Sequence, residues 1–109
     1  MIARLANLFF ATPEAHDRTV RAIAEVALPL VQEAAGFVNG CLLGEEGVGR
    51  AVLITLWRDQ ETHDAAISSM EKAMAAIAQA GATIEGPVYA FPTVLVADAR
   101  GVRRTPGGL

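Results

Sequence analysis

Few residues in this chain have the chemistry of a reactive site. Asn7 is a lone amide in an otherwise apolar N-terminal segment. Buried there it needs hydrogen-bond partners, and it can donate to a substrate carbonyl or a developing enolate oxygen. His63 follows Trp57 by six residues. Its imidazole is the side chain most often used to remove a phenolic or activated C–H proton. Trp57 and Phe9 offer flat apolar walls for a planar ligand, Met70 and Met74 an adaptable thioether stripe, and Tyr89 a phenolic donor and acceptor. Each has a purely structural alternative. Asn7 can be a satisfied amide or an edge residue, His63 a surface imidazole, and Tyr89 a half-buried strand residue. Trp57, Met70 and Met74 can be core. Arg4 interrupts the apolar alternation of its segment, either as half of an interface ion pair or toward an anionic ligand. His16, among Glu14, Asp17 and Arg18, reads as solvated.

Other chemistries lack a basis in the residues. Two His and one Cys, with no His-x-x-x-His and no paired-Cys spacing, supply no metal site. The glycine-rich run 44–49 joins two expected strands and lacks the Gly-Lys-Ser/Thr ending of a phosphate loop. No Gly-x-Ser-x-Gly elbow occurs. No flavin, nicotinamide or nucleotide cofactor is therefore expected. Cys41 has no partner for a disulfide or a metal and reads as a buried, inert thiol.

These residues need elements to position them. Residues 1–10 read as a first strand, closed by Thr12-Pro13. Thr12 suits a helix N-cap, Pro13 the first helical position, and Glu14 the positive helix start. Val20, Ile23, Ala24, Ala27, Leu28 and Val31 then recur at helical spacing. Pro29 cannot donate to Glu25, so it should kink this helix or divide it, with a second piece over 29–35. Gly36 ends it. Residues 37–43 form a second strand, with Gly40 marking a bulge, and 51–57 a third. Asp59 caps a second helix whose stripe is Ala66, Ile67, Met70, Met74, Ile77 and Ala78, closed by Gly81. A turn at Gly86-Pro87 precedes a fourth strand over 88–97, and 98–109 reads as a mobile tail.

The order is βαββαβ in a single α+β domain: a ferredoxin-like antiparallel sheet of four strands with two helices on one face. The 109 residues are 52% apolar and 19% charged, a globular composition. A net charge of −3 implies no basic face for nucleic acid. No segment reaches the roughly 18 apolar residues that span a bilayer. With no basic leader and a single cysteine, the expected setting is the cytoplasm. The strands are apolar on both faces. The third puts Val52, Ile54 and Leu56 opposite Ala51, Leu53, Thr55 and Trp57; the fourth puts Val88, Ala90, Val94 and Val96 opposite Tyr89, Phe91 and Leu95. Two helices cover one face, and each large side chain left on the other forgoes about 1.5–3 kcal/mol of burial. A homodimer joined through that sheet face removes the exposure.

Ala35-Gly36-Phe37, then Gly40, the glycine hairpin, and Val52-Leu53-Ile54-Thr55-Leu56-Trp57-Arg58-Asp59-Gln60-Glu61 together resemble the antibiotic biosynthesis monooxygenase domain over about residues 1–97. That resemblance implies the dimeric α/β barrel superfamily: a ferredoxin-like monomer with paired sheets. It also implies a cavity between sheet and helices, and among its members cofactor-independent oxygenases acting on polyketide anthrones and quinone precursors. The anthrone-oxygenase type carries a Trp matched by Trp57; its preceding Asn falls at Leu53 and its helix Tyr near His63. The haem-degrading type matches at Asn7 but has a Trp and a His where this chain has Ala66 and Ala76. Three functions follow. The first is a cofactor-independent oxygenation of a small aromatic molecule, with Asn7 at the oxyanion, His63 or water as base, and Trp57 and Phe9 as walls. The second is a non-oxidative cyclase or isomerase. The third is a binding or assembly module without catalysis.

Overall fold

The computed structural model describes residues 1–93 and 95–104, with residue 96 described by its backbone alone. Val94, the side chain of Val96 and the expected tail's residues 105–109 therefore lie outside the described residues. The elements are β1 (Ile2–Phe10), α1 (Pro13–Ala22), a π-helical turn (Ile23–Ala27), α2 (Leu28–Gln32), β2 (Phe37–Gly44), β3 (Gly49–Trp57), α3 (Gln60–Ala65), α4 (Ile67–Gln79), β4 (Thr83–Pro92), β5 (Leu95–Asp98) and β6 (Gly101–Arg104). The first four strands make an antiparallel sheet in the order β2-β3-β1-β4. The helices pack on one face of it, which is the ferredoxin-like α+β arrangement.

Strand alternation sets up the core. Ile2, Ala6, Leu8 and Phe10 of β1 and Ala51, Leu53, Thr55 and Trp57 of β3 face the helices and are buried. Met70, Ala73 and Ile77 of α4, with Ile23, Ala27 and Val31, close over them. Trp57, Phe10, Leu8 and Ile77 are wholly buried. Ala3, Leu5, Asn7 and Phe9 point the other way, in register with Leu56, Ile54, Val52 and Arg50 of β3. This outer face also holds Leu43, Tyr89 and Phe91, all more than two-fifths exposed.

Thr12 caps α1, its Oγ1 accepting from Ala15 N–H at 3.0 Å, with Pro13 next. Because Pro29 offers no N–H to Glu25, the helical ladder opens one turn earlier: Leu28 N–H bonds to Ile23 C=O across the π-helical turn. The expected division of the helix takes this form. Gly36 then turns the chain at φ 85°. Its carbonyl accepts from Arg58 N–H at 2.7 Å, and a Cβ there would overlap the Thr62 side chain. Only glycine lets the α2–β2 corner lie against the start of α3.

Three elements differ from the sequence-based expectation. The bulge of β2 falls at Val38, between Phe37 and Asn39, and not at Gly40. Gly40 instead makes room for Leu28. Gly86-Pro87 is not a turn before a strand. β4 begins at Thr83 and takes both residues as an irregularity opposite the step from Leu5 to Asn7. β4 is an edge strand, so the missing proline N–H removes no ladder bond. Finally, β4 stops at Pro92, and the region beyond is a separate hairpin of β5 and β6 that pairs Leu95 with Arg104 and Asp98 with Gly101.

Gly36→Ala should cost about 2–4 kcal/mol, combining a left-handed backbone penalty with overpacking against Thr62. Urea unfolding measures it, and a change near zero contradicts the close approach. Thr19 is wholly buried, and its Oγ1 has no hydrogen-bond partner among the described residues. Thr19→Val, nearly isosteric, should therefore stabilise the fold by about 1 kcal/mol, or about 4 °C in Tm. A destabilised variant would show that the hydroxyl is satisfied.

Candidate functional site

The site begins with a helix cap. Asp59 Oδ1 accepts from Thr62 N–H and from Thr62 Oγ1, each at 2.9 Å. The backbone hydrogen bond from Thr62, then its hydroxyl, hold the Asp59 carboxyl below the usual carboxylate range. The capped helix α3 is short and yields at Ala66 (φ −93°, ψ 0°) before α4 resumes. That break divides the single helix expected from the sequence, and it lets the α3 segment turn His63 inward. His63 is 3% exposed, so it is not a surface imidazole.

The His63 ring lies edge to face with the Trp57 indole, 6.2 Å between centroids, and Phe37 meets the indole similarly at 5.5 Å. Its Nδ1 is 2.9 Å from Asp64 Oδ1, and its Nε2 is 3.4 Å from Arg4 Nη1. A carboxylate only accepts and a guanidinium only donates, so both partners are satisfied only by a neutral ring with its proton on Nδ1. The hydrogen bonds from His63 and then from Gln60 hold the Asp64 carboxyl low. On the other side of the indole, Trp57 Nε1–H donates to Thr55 Oγ1 at 3.0 Å.

Above these residues is a cavity between sheet and helices. Arg4, Ala6, Leu53 and Thr55 form its sheet floor; Met70, Ala73 and Met74 form one wall; Ala27, Leu28 and Val31, around the π-helical turn, form the other. Its volume is about 30 Å³, enough for one or two waters. A fused-ring ligand fits only if Leu28, Met70 and Met74 move. Burial lowers the Arg4 pKa, with attraction from Glu71 opposing the shift. An arginine nonetheless stays charged at neutral pH. Among the described residues no cluster of three His, Cys, Asp or Glu side chains is placed to hold a metal ion.

The structure divides the residues singled out in the sequence. Met70 and Met74 line the cavity. Trp57 and His63 each stand one hydrogen bond behind it, through Thr55 and Arg4 respectively. Asn7, Phe9 and Tyr89 do not belong with them. Asn7 and Phe9 have the opposite strand parity to Ala6 and Leu8, and Tyr89 pairs with Leu5 on the outer face, stacked on Phe91 at 5.9 Å. An amide on that face cannot reach an oxyanion in this cavity, nor can Phe9 form a wall with Trp57. Cys41 is exposed and not buried, because it sits on the outer face of edge strand β2. His16 is 16% exposed in its side chain, edge-on to Phe10 and beside the exposed Asp17, so it is only partly solvated. Arg4 joins the site instead: its parity with Ala6, readable in the sequence, turns it toward the helices, opposite Thr55 of β3.

The Asp59 cap gives a pH signature. A carboxyl whose folded pKa is lowered stabilises the fold fully above its ordinary value near 3.8, and that contribution disappears as pH falls through the folded value. Asp59→Ala should be less stable than the parent at neutral pH, and the gap should narrow as urea titrations are repeated below about pH 4. A gap independent of pH contradicts the cap's ionic character.

No protein-family model and no curated protein matches the sequence. Solved structures do match in fold. SnoaB of Streptomyces nogalater, a cofactor-independent oxygenase, superposes with TM-score 0.61 at 21% identity, covering 81% of this chain and 90% of that one. A monooxygenase from the gene ActVA-Orf6 of Streptomyces coelicolor, in complex with nanaomycin D, gives 0.59 at 16%, over 82% and 81%. A proposed antibiotic biosynthesis monooxygenase from Bordetella bronchiseptica gives 0.60 at 18%, over 82% and 90%. The sequence resemblance and the likeness of the folds meet at one point: this chain has the ferredoxin-like α+β fold of the antibiotic biosynthesis monooxygenases.

Proposed function

We propose that this chain is a small cofactor-independent monooxygenase-like protein that acts on an aromatic or polyketide-type substrate in the cavity between sheet and helices. The observation that carries the reading is the cavity itself, apolar on its helical walls, with the polar groups of Arg4 and Thr55 on its floor. The fold shared with SnoaB, a cofactor-independent oxygenase, and with the ActVA-Orf6 monooxygenase supports it. An activated CH₂ between aromatic rings loses a proton to cavity water. The resulting carbanion adds O₂ to form a peroxide; protonation and loss of water leave the new carbonyl, so one oxygen atom enters the product and one leaves as water. His63 takes part as a positioning residue, since its Nε2 faces Arg4. A cytoplasmic setting suits the exposed, unpaired Cys41 thiol.

The working unit in this proposal is a homodimer formed by pairing the outer sheet faces. Leu43, Tyr89 and Phe91 are largely exposed there beside Leu5, Phe9 and Ile54. The area is mostly apolar, bordered at the Phe9 end by Asn7 and the Arg50–Glu85 ion pair, and a soluble monomer rarely leaves so many large apolar side chains bare.

Oxygen uptake by the purified protein with a panel of anthrones and hydroquinones tests the activity. Uptake above a protein-free control is expected. Product formed equally without oxygen supports a cyclase or isomerase, and neither outcome across the panel supports a binding module. For the assembly, light scattering should report twice the 11.4 kDa chain mass. A stable particle of single-chain mass at micromolar concentration rules the dimer out.

A further inference from the structure

We propose that Arg4 and Thr55 make the sheet–helix cavity selective for a ligand that carries a planar oxyanion, a carboxylate or an ionised phenol or enol, on an apolar body. The inference rests on the reading that this cavity takes a ligand, but not on any reaction with oxygen.

Four observations lead to it. Arg4 is among the residues that line this largely apolar cavity, yet among the described residues no carboxylate forms an ion pair with its guanidinium and its one hydrogen-bond partner is the Nε2 of His63, with Glu71 acting only at longer range. A guanidinium has five N–H donors, so most of its capacity is left over after that one contact. A partly buried charge is costly unless paired, and an anionic ligand supplies the missing pair. Arg4 and Thr55 are also cross-strand partners, side by side on the cavity floor. Thr55 Oγ1 already accepts from Trp57 Nε1–H, which leaves its own O–H to donate. The two polar residues of the lining, a guanidinium and a hydroxyl from neighbouring strands, are thus both donors, which suits a planar oxyanion. The other lining residues are Ala, Val, Leu and Met, which offer no side-chain acceptor to a neutral polar group beyond the weak thioethers. Lastly, His63 fixes the guanidinium from behind and is itself fixed by Asp64. His63 and Asp64 are positioning residues in this scheme.

The body of the ligand is set by the walls. Met70 and Met74 can repack around an aromatic ring, and Leu28 follows a π-helical turn, a frequent location for functional adjustment.

The test compares anions with a neutral isostere, using the whole chain. Calorimetry measures binding of 2-naphthoate and 2-naphthamide to the parent, to Arg4→Met and to Thr55→Val. A parallel arm records the visible spectrum of 4-nitrophenol, whose phenolate band reports ionisation on binding. The expected result is at least about tenfold tighter binding of naphthoate than of its amide. Arg4→Met should remove that preference, weakening naphthoate by at least about tenfold more than its amide, and Thr55→Val should reduce it. A gain in phenolate absorbance that Arg4→Met abolishes assigns phenols and enols to the site; preference for naphthoate without that gain restricts the site to carboxylates. Should Arg4→Met fail to fold, the naphthoate-to-amide ratio of the parent decides. Equal binding of the two, no binding of any probe, or a preference unchanged in Arg4→Met overturns the inference. Anion preference without oxygen uptake retires the oxygenase reading and leaves this one standing; uptake without anion preference does the reverse.

Discussion

A guanidinium set among apolar side chains has to be held by something, and here a neutral ring nitrogen holds it. The contact between Arg4 and His63 fixes what the rest of the site can be. It requires the imidazole proton on Nδ1, which requires Asp64 beside it. It requires α3 to end within two turns, so that His63 enters the interior against Trp57. It also requires Gly36, because any larger residue would push the start of α3 away from the sheet. The cap at Asp59, the glycine corner and the buried indole are parts of one support for one charge.

The second constraint is the period of two in a β-strand. β1 carries Arg4, Ala6 and Leu8 toward the helices and Leu5, Asn7 and Phe9 away from them. One strand therefore serves both the cavity and the apolar outer face, and no residue of it can serve both at once. A single-residue register slip would exchange the two faces.

That rule explains how much was legible in the sequence. The βαββαβ order followed from periodicity, the Thr12 and Asp59 caps and the glycines, and the structure has it. Pro29 announced a disturbed helix, although nothing in the residues selects a π-helical turn over a kink. Asn7 has the chemistry of an oxyanion donor, but its parity with Leu5 and Phe9 places it on the outer face. Arg4, at the parity of Ala6, pointed inward. The contacts of His63 were not legible, because they depend on the break at Ala66, and a lone alanine carries no breaking signal. Pro87 misled for a similar reason. It reads as a turn residue unless β4 is known to be an edge strand, and strand order is a long-range property.

The most direct measurement is the tautomeric state of His63, read by long-range ¹H–¹⁵N correlation on the labelled protein. The account predicts that the neutral ring carries its proton on Nδ1, with Nε2 bare toward Arg4. A ring protonated on Nε2 with Nδ1 bare would place two donors against each other, and the support described here for the Arg4 charge would not exist.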